Sequence, residues 1–295
     1  MIRRAEAGDH GAVQAFLAQH RASSMFLLSN LAAHGIAGSD HPYATEFYLE
    51  PGQGPLRAVF GRTRSGMLLC QVPGQAPLPD VPFAAFAEAL RGSTVIGASG
   101  EAEQIDRLLA ALTAVGTLTC RINHLEPLFS LVLADLPALS LDGLALRAPL
   151  PADAALLTMW FERHLRETGF ATSQQSARSE ASARTAAAVE GGPVRLLCDG
   201  QTPVAMAALN ARTDDAVQVG GVFVPPDRRN RGLGRRVVAA LLRQAARQDG
   251  ATQAFLFSNN DAASAAYRSI GFQRVGMYRI ALFEPFVVAA GGTPR

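Results

Sequence analysis

The chain contains no lysine: all 27 of its basic residues are arginine, in a length of 295. It carries no lysine side chain open to modification, and any cationic site must be built from guanidinium groups, which stay charged and fork onto phosphate oxygens. Abundant alanine beside this absence reads as compositional bias. Cysteine is also scarce. Cys70, Cys120 and Cys198 lie scattered in apolar stretches without metal-ligand spacing, which excludes a disulfide framework and reads as buried free thiols in a reducing compartment. His10, His20, His34, His41, His124 and His164 form no short metal motif, so no metal is expected. No apolar run approaches the ~20 residues that span a bilayer, and Met1-Ile2-Arg3-Arg4 turns polar without a signal-peptide pattern. The expectation is a cytoplasmic protein without a membrane partner. A net charge of +2 gives no basic excess for nucleic acid.

What is present concentrates between residues 216 and 272. Val217 to Val224 is an apolar run rich in valine and stopped by Pro225-Pro226, the composition of a buried strand. Arg229-Asn230-Arg231-Gly232-Leu233-Gly234 comes next. Beyond it Leu233, Val237, Leu241 and Ala245 recur every four residues, with Val238 and Leu242 beside them, one apolar helix stripe closed by Gly250. Strand, glycine loop and helix start make an anion site: first-turn N–H groups are unpaired and the dipole favours negative charge. Glycines at 232 and 234 allow close approach, and Arg228, Arg229, Arg231, Arg235 and Arg236 surround the place. A pyrophosphate is the direct reading. Ala254 to Phe257 is a second short strand. A short helix then carries Tyr267, with Asp261 as its expected cap, before Gly271-Phe272 and a final strand from Gln273 to Phe283.

Two spaced motifs in this stretch carry a resemblance. Arg229, Gly232 and Gly234 match the pattern Gln or Arg, two residues, Gly, one residue, Gly or Ala; Asn260, Tyr267, Gly271 and Phe272 match Asn, six residues, Tyr, three residues, Gly-Phe. The segment resembles the GNAT superfamily of acyl-CoA-dependent N-acyltransferases. The resemblance implies an α/β fold with a mixed, mostly antiparallel sheet flanked by helices. It implies acetyl-CoA as co-substrate, its pantetheine arm along Val222, Phe223 and Val224 after a bulge at Gly220-Gly221. The N–H groups from Arg229 through Asn230, Arg231, Gly232, Leu233 and Gly234 to Arg235 would hold the pyrophosphate. Asn260 would bond the arm, and Tyr267 would give a proton to the departing thiolate. The acceptor would be a primary amine of a small molecule or peptide, attacking directly in a ternary complex. A non-catalytic acyl-CoA-binding or regulatory protein that retains the fold is the competing reading; an acid beside the sulfur argues for the enzyme.

The length suggests two domains. Residues 1–140 alternate strand and helix in the same order, with strands expected at Thr117 to Ile122 and Phe129 to Leu133. After the strand Met67 to Val72, however, the chain reads Pro73-Gly74-Gln75-Ala76-Pro77-Leu78-Pro79, without arginine or a Gly-x-Gly pair. Residues 1–140 are therefore expected to be a degenerate GNAT-like domain without the cofactor loop, and 141–295 the N-acyltransferase domain. This tandem arrangement is similar to that of some bacterial acetyltransferases. Asp199-Gly200 marks a hairpin turn. Glu162, His164, Arg166 and Glu167, on or just after the first helix of the second domain, are candidates to meet an amine, although a solvated helix face for the charges and a satisfied group for His164 explain them more simply. Trp160 reads as core. No general base is named. Gly291 to Arg295 reads as a mobile tail.

Overall fold

A computed structural model describes residues 2–74, 77–171, 173–258 and 260–289; the expected mobile tail and Gln75-Ala76 lie outside them. The elements in chain order are β1 (Arg3–Arg4), α1 (His10–Gln19), α2 (Arg21–His34), β2 (Thr45–Glu50), β3 (Ala58–Thr63), β4 (Met67–Gln71), α3 (Val81–Ala89), β5 (Thr94–Glu101), α4 (Ala102–Val115) and β6 (Cys120–Val132). The second series is β7 (Leu144–Arg147), α5 (Ala154–Glu167), α6 (Gln174–Val189), β8 (Val194–Asp199), β9 (Thr202–Arg212), β10 (Ala216–Phe223), α7 (Leu233–Asp249), β11 (Gln253–Phe257), α8 (Asp261–Arg268) and β12 (Gln273–Val287). The same order of ten elements occurs twice. No helix among the described residues is long and apolar enough to cross a membrane.

The division into units differs from the expected boundary at 140/141. Unit 1 is residues 1–126 with 276–295, and unit 2 is residues 127–275. Two long strands are the cause. β6 is one strand rather than two, running through Pro127, and its second half pairs antiparallel with β11, Leu128 opposite Phe257 and Val132 opposite Gln253. β12 pairs antiparallel with β5, Tyr278 opposite Glu101 and Val287 opposite Thr94. Each unit thus takes its sixth strand from the other series. The sheet of unit 1 runs β1-β2-β3-β4-β5-β12 and that of unit 2 runs β6-β11-β10-β9-β8-β7. Only β4–β5 and β10–β11 are parallel within these sheets; the rest pair antiparallel.

Alternation along the strands builds one core on each sheet face. In unit 2, Val217 and Val219 share a core with the buried stripe Leu233, Val237, Leu241 and Ala245 of α7. Leu196, Cys198 and Met206 share the other with Leu157 and Trp160 of α5 and Ala181 of α6. In unit 1, Phe60, Leu68 and Ala98 pack with α3 and α4, Phe60 stacked on Phe86 at 4.6 Å. Phe47, Leu49 and Val59 pack with α1 and α2. Cys70 and Cys198 are buried free thiols as expected, whereas Cys120, the first residue of β6, is exposed.

Both units open with the same local device. Asp9 takes both terminal nitrogens of Arg3 at 2.7 Å and the Glu6 N–H at 2.8 Å. Asp153 takes Arg147 at 2.6 and 2.9 Å and the Leu150 N–H at 2.7 Å. The charge-assisted fork ties each first strand to its first helix.

The exchange of strands is testable on fragments. Residues 127–275 retain every strand of unit 2 and are expected to unfold cooperatively in urea. Residues 141–295 lack the β6 partner of β11, with Phe129 and Leu131 of the core, and are expected to show no cooperative transition. Cooperative unfolding of 141–295 would contradict the exchange.

Candidate functional site

The site begins where two parallel strands stop pairing. β10 and β11 are in register only at Ala216–Gln253, Val217–Ala254 and Gln218–Phe255. β10 continues to Phe223 and β11 to Phe257, so beyond these pairs the facing backbone edges have no ladder between them. On its other side β10 stays paired with β9, with register shifts at Gln218/Val219 and at Gly220/Phe223. The second shift is the expected bulge. Gly221 sits at φ +58, and a Cβ on Gly220 would lie 1.9 Å from the Asn210 amide nitrogen. A bulge changes which sheet face the next residues meet. Val217 and Val219 belong to the α7 core, whereas Phe223 belongs to the α5/α6 core and Val222 and Val224 pack on the α7 side.

The loop after β10 is a cradle of backbone donors. Pro226–Arg228 make one short turn, Asn230 takes φ +60 and Gly232 φ +71, and Gly232 is the N-cap of α7. The first turn's bond is Arg236 N–H to the Gly232 carbonyl at 3.2 Å, so the Leu233, Gly234 and Arg235 N–H groups precede the helical ladder. A Cβ at 234 would meet only Val224, at 3.8 Å. The arginines divide into two sets. Arg229 donates from its backbone to the Pro226 carbonyl at 3.3 Å. Its side chain donates to the Val224 carbonyl at 2.9 Å and to Glu167 at 2.6 Å. Its N–H, expected to face the ligand, is thus already bonded within the loop. Arg236 is held by the Arg231 and Ser140 carbonyls and Asp142. Arg235, by contrast, has a buried Nε without a partner among the described residues and lies over Gly232. An orphaned guanidinium nitrogen beside N–H groups outside the ladder fits a pyrophosphate.

Asn260, not Asp261, caps α8: its Oδ1 accepts the Ala263 N–H at 2.8 Å, leaving the amide NH₂ to donate elsewhere. Tyr267 is buried, 7% exposed, in the core that includes Leu233 and Ile270, with its ring edge-on to Phe272 at 6.1 Å. Strand opening, cradle and α8 all belong to unit 2.

Residues 156–272 match the model of the acetyltransferase (GNAT) family. Over this segment the chain is similar to that family. A UPF0039 protein of Schizosaccharomyces pombe is 32% identical over 71 residues, 24% of this chain and 47% of that protein. The N-alpha-acetyltransferase RimI of Mycobacterium tuberculosis is 44% identical over 62 residues, 21% of this chain and 38% of that protein. The chain thus spans less than half the length of these curated relatives. Solved structures share the fold over nearly the whole chain. A Drosophila protein has a TM-score of 0.62 at 17% identity, covering 95% of this chain and 98% of its own. A tandem GNAT protein from the clavulanic acid biosynthesis pathway has 0.52 at 13%, covering 99% of both.

On the α5 side of unit 2, His164 is pushed down to about 4 by burial and lies edge-on to Phe223 at 6.2 Å, so it is neutral at pH 7. Trp160 is core, 5.7 Å from Phe223. Glu162 faces Arg178 at 3.6 Å, and Glu167 joins Arg163 and Arg229. Arg166 lines a cavity of about 290 Å³ with Ala171, Ser173 and Gln174. Among the described residues no His, Cys, Asp or Glu group is arranged to hold a metal.

In unit 1 one backbone donor just past the corresponding strand is taken by a side chain. β4 and β5 also pair at three positions, the last Leu69–Ser99. The Val72 N–H then donates to Gln104 Oε1 at 2.8 Å, and Gln71 Oε1 accepts from Ser23 at 2.7 Å and Ser24 at 2.9 Å. The Gln104 side chain thus satisfies the Val72 N–H, and α2 hydroxyls satisfy the Gln71 side chain. Sequence reading missed Glu126, which is 3% exposed, lies 3.6 Å from His124, and is pushed up to about 7 by burial.

Gly232→Ala places a side chain at φ +71 against Arg235 and should cost about 1 kcal/mol in urea unfolding; an unchanged midpoint would contradict the left-handed cap. Glu126 sets a pH dependence. The folded state holds a proton that an unfolded glutamate has released above about pH 4.3. The stability this gives is complete below that value and is lost as pH rises through about 7. Glu126→Gln should therefore gain on wild type between about pH 5 and 8, by up to about 3 kcal/mol; parallel stability curves would contradict it.

Proposed function

We propose that the GNAT unit transfers an acetyl group from acetyl-CoA to a primary amine of a small molecule or peptide, by direct attack in a ternary complex. The observation that carries this reading is the strand opening beyond Gln218 and Phe255, which leads into the donor cradle from Asn230 to Arg235. Acetyl-CoA supplies an acyl group as a thioester, whose carbonyl an amine attacks and whose sulfur leaves as thiolate. The cradle N–H groups and Arg235 bind the pyrophosphate through charge-assisted bonds. The backbone edge at Val222, Phe223 and Val224, whose last carbonyl also receives Arg229, holds the extended arm, with the Asn260 amide donating to it. The Tyr267 phenol, of a type with reference pKa near 10, gives the proton to the departing sulfur as general acid.

The RimI relative, named as an N-alpha-acetyltransferase, supports an amine acceptor. A panel of amines assayed with wild type and Tyr267→Phe tests the reading. Turnover by the variant is expected to fall roughly 10²-fold or more, with donor affinity little changed. Equal turnover would remove Tyr267 as the acid. Donor binding without turnover of any amine would favour the non-catalytic binding protein.

A further inference from the structure

Asn230 sits at φ +60 in the middle of the cradle. Asparagine enters this region more readily than most residues, yet here both flanks of the turn are pinned as well. On one side Arg229 is fixed by the Val224 carbonyl at 2.9 Å and by Glu167 at 2.6 Å, with its guanidinium 5.8 Å from the Phe223 ring centre. Glu167 is itself held by Arg163 at 2.9 Å. On the other side Arg236 donates to the Arg231 carbonyl at 2.8 Å and is paired with Asp142, whose other oxygen takes the Ser140 hydroxyl at 2.7 Å. Glu167 and Asp142 lie outside both sequence motifs, 62 and 94 residues from their arginines.

We propose that Glu167 and Asp142 are positioning residues for the donor: through Arg229 and Arg236 they hold the cradle N–H groups in the geometry that receives phosphate. This rests on the acyl-CoA reading of the loop. A preformed cradle avoids the ordering cost of binding. The braces also occupy two of the loop's arginines. Of the others, Arg228 and Arg231 reach Asp227 at 3.9 and 3.3 Å, and Arg235 keeps its orphaned Nε for the ligand.

The sign of one measurement separates bracing from simple charge. Removing a carboxylate near an anion site strengthens anion binding by Coulomb attraction; removing a brace weakens it. Acetyl-CoA is titrated calorimetrically into wild type, Glu167→Gln, Asp142→Asn, Arg229→Gln and the Glu167→Gln/Arg229→Gln pair, each well below its unfolding temperature. Both acidic variants are expected to bind about tenfold more weakly, with the pair no weaker than Arg229→Gln alone. With an accepted amine, KM for acetyl-CoA should rise while kcat stays nearly constant, a split that lowered fold stability does not produce. Unchanged or tighter binding by both variants, with wild type binding, overturns the bracing and leaves the donor site standing. No binding by wild type overturns both.

Discussion

Everything proposed for this protein depends on a short parallel ladder that ends early. Parallel strands in a sheet interior ordinarily keep their bonds because unpaired buried backbone groups are costly. β10 and β11 give theirs up after Gln218–Phe255 while both continue. The bulge at Gly220 and Gly221 takes part in the same event: it keeps β10 joined to β9 and turns Phe223 toward α5, where Trp160 and His164 receive it. A backbone edge left open in this way suits an extended ligand that can supply the missing bonds.

The second constraint is the division of labour among arginines. Five surround the loop, and a count of charge treats them alike. Their bonds do not. Arg229 and Arg236 are committed to carbonyls and carboxylates that shape the loop, whereas the buried Nε of Arg235 has no partner among the described residues. In unit 1 the same stage of the fold differs: the Val72 N–H donates to the Gln104 side chain, so an internal amide takes a backbone donor there.

The local features were legible in the sequence because they are written in consecutive residues. The fourfold stripe from Leu233 to Ala245, the Gly250 cap at φ +70 and the bulge at Gly220-Gly221 each arise from neighbouring side chains and glycine conformations. The cap of α8 was misplaced by one residue, since Asn260 and Asp261 are both good caps and only the bond from Ala263 distinguishes them. Long-range features were not legible. Nothing near Glu167 or Asp142 names an arginine 62 or 94 residues away. The polar stretch before Pro127 reads as a gap between two strands, yet β6 runs through it, and the exchange of β6 and β12 between units leaves no local trace.

Calorimetric titration of the full chain with acetyl-CoA, read for stoichiometry, tests the central claim most directly. One site per chain is the predicted result, from the donor cradle in unit 2 and the lack of an arginine or Gly-x-Gly pair after β4 in unit 1. No binding would contradict the donor site, and two sites per chain would contradict its restriction to unit 2.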